Sequence, residues 1–424
     1  MESTFIILFS IASLVAIAVR RTTVPYTVAL VLVALVAGAF HLVDAPHLTK
    51  ELLFALFLPG LVFEAAYNIH ARELRVSWRS IAILAVVGVV VAIAGTAGIM
   101  LGVFKIFGIA TDLDWKYALV FAALVAATDP IAVVGLFRRL GVSARLTTLV
   151  EAESLFNDGT SIVILSLVLA YVGGTSSGAV KLTLEFLTTV GGGALIGCAV
   201  SFFIARVTKQ LDEPMIEIAL TTIAAYGSFV VAERLHFSGV IATVCAGLVL
   251  GTYGREVAMS PTTRVSVDTF WEYIAFALNS IVFLLIGFTV DLGGLLATAA
   301  PVLVAFVAVL AARAGVIYAT MLVLWRSSER FSAKWGAVLT WGGLRGALSM
   351  VLALALPAEF PHRALLIDMT LGVVVLSLVL QGLTMQYLVT RLGVVDAPRA
   401  PSEDHSDSEP GASRRAAANL GPTP

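Results

Sequence analysis

Apolar runs long enough to cross a bilayer recur along almost the whole chain, and no other feature constrains its fold as much. A membrane-spanning helix needs about 20 mostly apolar residues. Thirteen such runs can be read, near 4–19, 25–41, 48–69, 78–104, 115–137, 146–172, 181–206, 214–235, 238–252, 267–291, 296–325, 334–356 and 364–390. The ninth is short. The first has Glu2 where a signal peptide would carry a basic region, and no convincing cleavage site follows, so it reads as a helix. The expected fold class is an all-α polytopic membrane protein.

Composition closes the alternatives. With 59% hydrophobic and 13% charged residues, no soluble fold could bury the apolar surface. The two cysteines, Cys198 and Cys245, lie inside apolar runs and cannot frame a disulfide scaffold. A net charge of −1 argues against a nucleic-acid partner. The 35 glycines suit closely packed membrane helices.

The basic residues test the division into spans. With the N-terminus outside, nineteen of the 27 Lys and Arg fall on the inside and six on the outside. The other two, Arg313 and Arg345, stand within spans. That bias follows the positive-inside rule. It predicts an outside N-terminus and a cytoplasmic C-terminal segment, 396–424, whose polar, Pro/Ser-rich sequence should be disordered.

Ionisable residues within spans cost at least ~2.5 kcal/mol each and usually mark a pathway. The deep ones are Asp129, Glu153, Asp158, Arg313 and Arg345, with Glu64 less deep. Glu151 and Glu217 lie nearer helix ends and read as solvated or snorkelling groups. Thr128-Asp129-Pro130 reads as a helix start inside the fifth span, with Asp129 as N-cap and Pro130 in the first helical position. That makes 115–137 a discontinuous span, and an extended break is tolerated only around a buried site or cavity. Gly342-Gly343, beside Arg345, marks a matching weak point in 334–356. The fifth and twelfth spans run in opposite directions. This is the pattern of two inverted repeats, about 1–172 and 214–391, joined by a linking helix at 181–206, and paired interrupted helices point to a transporter site.

On the sixth span Ser154 and Asp158 are i, i+4, and Glu153 and Asn157 repeat that spacing on a neighbouring face. Oxygen ligands of this kind suit a hard cation such as Na⁺ or Li⁺. Three deep acids and two arginines leave one carboxylate uncompensated, with Glu64 outside the count. One such group can be neutralised by one Na⁺ or one H⁺, the basis of electroneutral one-for-one exchange.

Four passages carry a resemblance that covers nearly everything up to residue 391: LFLPGLVFEAAYNI with Glu64, ATDPIAVV, ESLFNDGTSIV and WGGLRGALSM. In their order and spacing they resemble the NhaP-type and sodium/hydrogen-exchanger branch of the monovalent cation–proton antiporters. The resemblance implies a thirteen-span antiporter, usually a homodimer, whose core domain moves against a dimer domain in an elevator-like step. Asp158 would bind Na⁺ or H⁺ in turn, with Ser154, Asp129 and the backbone oxygen of Thr128 completing the site. Glu153 would pair with Arg313, and Arg345 would stabilise the crossing of the broken helices. Asn157, in place of a second aspartate, resembles the electroneutral branch. Two departures stand out. Pro59 is followed by Gly60 where many relatives have a second proline, and the short tail lacks the long regulatory domain of animal exchangers.

The expected activity is therefore Na⁺ (or Li⁺)/H⁺ exchange across the cell membrane, without a haem, nucleotide or catalytic metal and without enzymatic chemistry. K⁺/H⁺ exchange is the alternative, since nothing in the residues sets Na⁺ against K⁺. A cation channel lacks a filter-like signature. An intramembrane protease lacks its motifs: HFSGV at 236–240 has no first glycine.

Overall fold

The computed structural model describes residues 2–22, 24–40, 52–174 and 178–395. The start of the expected third span at 48 and the tail 396–424 lie outside them. The described residues are nearly all helical. Eight helices have 18 residues or more and are apolar enough to cross a membrane, and shorter apolar helices accompany them. Besides two six-residue helices, Ala71–Val76 and Leu292–Ala297, the helices in chain order are α1 (Glu2–Val19), α2 (Tyr26–Ala39), α3 (Leu58–Tyr67), α4 (Trp78–Phe107), α5 (Trp115–Leu124), α6 (Ile131–Leu140), α7 (Ala144–Val172) and α8 (Ala179–Thr208). There follow α9 (Pro214–Arg234), α10 (Gly239–Val257), α11 (Pro261–Thr289), α12 (Ala299–Val323), α13 (Ala333–Trp341), α14 (Ala347–Leu354) and α15 (Arg363–Leu392).

Local chemistry sets the boundaries. Ser143, Ser238, Ser260 and Ser332 cap α7, α10, α11 and α13, each hydroxyl accepting a backbone N–H of the first turn. Gly141 and Gly393 end α6 and α15 in the left-handed conformation. Glu329 caps the first turn of α4 from a distant loop, accepting from Ser80 N at 2.8 Å and Ser80 Oγ at 3.1 Å. The ninth run is longer than expected. The helix continues to Val257 through a π-helical stretch, Leu250–Gly254. Similar stretches occur at Leu53–Phe57, Ile83–Gly88 and Ser377–Gln381. Each inserts a residue without changing hydrophobicity, so pattern alone does not reveal it.

The helices sort by packing into two sets. In the first, α2 packs on α11, α3 on α10, α9 on α10, and α8 on α9 and α10. In the second, α4 packs on α5 and α12, α7 on α5, α12 on α13, and α14 on α15. The long α7 meets α3, α8 and α10 of the first set. Between the sets lies a cavity of about 300 Å³.

Candidate functional site

Two interruptions face each other where the second set borders the cavity. Helix stops after Leu124 and resumes at Ile131, and stops again after Trp341 and resumes at Ala347. The two extended segments bond through their main chains: Asp129 N–H donates to the Leu344 carbonyl at 2.7 Å. The carbonyls of Ala126 and Ala127, freed from a helix ladder, accept from Arg345 Nη1 at 2.6 and 3.1 Å. Arg345 N–H donates to Ser377 Oγ at 3.0 Å. Gly346 is needed for this approach, because a Cβ there would run into the Asp129 side chain.

Helix α6 begins one residue later than expected. Pro130 is the N-cap and Ile131 the first helical residue. Asp129 still serves the helix start, since its Oδ1 accepts from Ile131 N–H at 3.0 Å. A carboxylate one residue ahead of the cap reaches the same orphan donor, so the motif survives the shift in register.

Helix α7 presents two polar faces, as the i, i+4 spacing requires. Ser154 and Asp158 line the cavity with Thr128 and Asp129. Ser154 Oγ donates to the Thr128 carbonyl, and Thr128 Oγ1 lies 3.1 Å from Ser154 Oγ. Asp158 Oδ1 is buried and has no hydrogen-bond partner among the described residues. The other face carries Glu153 and Asn157. Asn157 Nδ2 donates to the Ala126 carbonyl at 3.1 Å, and its Oδ1 accepts from Ser161 Oγ at 2.7 Å. Glu153 receives Arg313 through both oxygens, at 3.1 and 3.0 Å, and Arg313 Nε also donates to the Leu339 carbonyl at 3.0 Å.

Three sequence expectations change here. Arg345 makes no ion pair among the described residues. Its guanidinium serves main-chain carbonyls, which a count of acids against bases does not include. Glu151 is not solvated: it is buried, lines the cavity, and is held by Arg138 at 2.9 Å. Glu217 is fully buried, next to Thr263, near the first turns of α9 and α11, where helix N-termini favour negative charge.

Glu64, left outside the charge count, lines the same cavity as Asp158 and accepts from Asn68 Nδ2 at 2.8 Å. The opposite wall, from α3 and α11, also holds Glu272 and Asn279, which sequence reasoning missed. Their spacing of seven residues in an otherwise apolar run, two helical turns apart, was the available signal. Asp158 is fourteen residues into α7 and Glu151 seven, so at about 1.5 Å per residue the cavity lining extends from mid-helix toward the N-terminal end of α7, where Glu151 meets Arg138 of α6. The arrangement offers a hard cation several oxygens around the Asp158 carboxylate, in a cavity that Asp129, Glu64 and Glu272 also line.

The chain matches the family model described as "Sodium/hydrogen exchanger, transmembrane" over residues 6–391. It is 40% identical over 386 residues to the Na⁺/H⁺ antiporter ApNhaP of Aphanothece halophytica, covering 91% of this chain and 72% of that one. It is 37% identical to the Na⁺/H⁺ antiporter NhaP of Pseudomonas aeruginosa, covering 81% of each. The fold matches the sodium proton antiporter MjNhaP1 of Methanocaldococcus jannaschii with a TM-score of 0.75, at 19% identity, over 92% of this chain and 98% of that one.

Proposed function

The chain belongs to the sodium/hydrogen exchanger family, and from that premise we propose that it exchanges Na⁺ or Li⁺ for H⁺ by competition at Asp158. The observation that carries the reading is the unpartnered, buried Asp158 Oδ1 beside a cavity shared with Thr128, Asp129 and Ser154. The Thr128 backbone N–H serves the carboxylate, but an ionised carboxylate with its other oxygen buried and without a donor is costly in such a place. A cation or a proton removes that cost, and only one of them can do so at a time. Ser154 Oγ, the Thr128 carbonyl and Asp129 supply the remaining cation ligands. Glu153 with Arg313, Asn157 and Arg345 hold the ligand segments in place.

Alternating access follows if the second helix set, which carries Asp158, moves against the first. The packing supports an inverted repeat of 1–172 and 214–391. Exchanging the halves turns the contact of α2 with α11 into that of α10 with α3, and maps α4 on α12 onto itself. Thirteen spans, an outside N-terminus, a cytoplasmic tail and a homodimer built on the first set complete the proposal. Glu64 in the cavity wall favours a second stoichiometric reading, in which another carboxylate titrates and exchange moves net charge.

The test is reconstitution with an internal pH dye under Na⁺, Li⁺ or K⁺ gradients, with and without a membrane-potential clamp. Na⁺-driven proton flux indifferent to the clamp is expected, and Asp158→Asn should fold and carry none. Flux that follows the clamp selects the Glu64 reading, and flux driven equally by K⁺ replaces Na⁺ as the assigned cargo. Normal exchange by Asp158→Asn would remove the proposed site.

A further inference from the structure

The cavity has two unlike walls. One is the second set with its cluster of Thr128, Asp129, Ser154 and Asp158. The other is α3 and α11 of the first set. Along α11 the lining residues are Glu272, Ala275, Asn279, Val282 and Phe283. Their spacing, i, i+3, i+7, i+10 and i+11, is one helical face. From Ala275 to Phe283 that face is apolar except at Asn279. An amide buried without a partner costs free energy, and Asn279 Oδ1 has no hydrogen-bond partner among the described residues. Asp158 Oδ1 is in the same condition. Two side chains, each with a buried oxygen lacking a protein donor, therefore border one cavity of about 300 Å³ from opposite walls.

We propose that Asn279 is a cation-selecting residue, its amide oxygen coordinating the transported cation, directly or through one water, from the wall opposite Asp158. The inference rests on the exchange reading above. An amide oxygen is a hard, neutral donor of the kind that suits Na⁺ and Li⁺. A half-turn about the terminal torsion replaces oxygen by NH₂, so the same residue can face a cation or a carboxyl group. Because Asn279 and Asp158 belong to different helix sets, movement of one set against the other separates them. Asn279 then raises cation affinity from one side of the membrane only, and a ligand shifts the balance between two orientations through such a difference.

The experiment compares wild type, Asn279→Ala and Asn279→Asp in everted and right-side-out vesicles, with Na⁺ and Li⁺ concentration series and Asp158→Asn as blank. For Asn279→Ala the apparent KM for Na⁺ should rise about tenfold from one face and stay unchanged from the other. Its maximal rate should remain within about twofold, and the Na⁺ to Li⁺ preference should change. Asn279→Asp should restore a low KM and make exchange respond to membrane potential. An unchanged KM on both faces, or an equal rise on both, overturns the assignment. A wild type that exchanges neither ion sinks the exchange reading instead, and Asn279 is then judged by Na⁺-dependent thermal stabilisation in detergent. Stabilisation that Asn279→Ala reduces supports the role. Equal stabilisation in both proteins, or none in wild type, overturns it.

Discussion

Replacing Arg313 by alanine should cost about 3–5 kcal/mol of stability. The Arg313 and Glu153 side chains are 11% and 5% exposed, which places them among buried pairs and not among surface pairs, where ion pairing contributes little. Two bonds of 3.1 and 3.0 Å hold both carboxylate oxygens, and a third of 3.0 Å holds the Leu339 carbonyl. In an unbroken helix that carbonyl would receive Gly343 N–H, but α13 ends at Trp341. Truncation therefore strands a charge and a backbone acceptor together. The charge accounts for most of the loss, and the carbonyl adds about 1 kcal/mol. The double variant Glu153→Leu, Arg313→Met leaves no charge behind and should recover most of the stability. Melting of the purified protein in one detergent, across the four members of the cycle, measures this. We expect a fall on the order of 5 °C for Arg313→Ala and a coupling of at least about 2 kcal/mol between the positions. If Arg313→Ala melts with the wild type, or if the double variant loses the sum of the two singles, the pair does not fasten α7 to α12 as argued.

Two further substitutions probe geometry in place of charge. Gly346→Ala puts a methyl group into the Asp129 side chain, so transport should fall to the Asp158→Asn background while circular dichroism stays helical; wild-type flux would contradict the crowding argument. Glu329→Ala removes the cap from α4 and should lower stability by about 1–2 kcal/mol without altering the KM for Na⁺; an unshifted melting temperature would mean that water replaces the carboxylate at no cost.

What stood out in the sequence was chemistry foreign to an apolar helix. Asp129 next to Pro130, four polar groups between Glu153 and Asp158, and Arg345 beside two glycines are conspicuous because their surroundings are not polar. Glu151 misled, since its partner Arg138 sits on another helix and rescues a position near a helix end from needing water. Arg345 misled differently. Its acceptors are the carbonyls of Ala126 and Ala127, and a main-chain acceptor has no letter in the sequence. Asn279 was overlooked because a single amide in an apolar run is usually satisfied within its own helix. Only the cavity on its far side makes it unusual.

The crossing of the two extended segments has a consequence for how such a protein can vary. Asp129 N–H, the Leu344 carbonyl and the carbonyls of Ala126 to Thr128 are peptide groups, present whatever side chain is attached. Short of proline at Asp129, which would remove that N–H, point substitution cannot delete them. It can only displace them, through bulk at Gly346 or loss of the Arg345 fork. The mutable part of the constellation is thus the ring of side chains around a main-chain frame: Ser154, Asp158, Glu64 and the residues of the facing wall. Cargo preference can then drift by single changes in that ring while the frame that receives the ion is inherited intact.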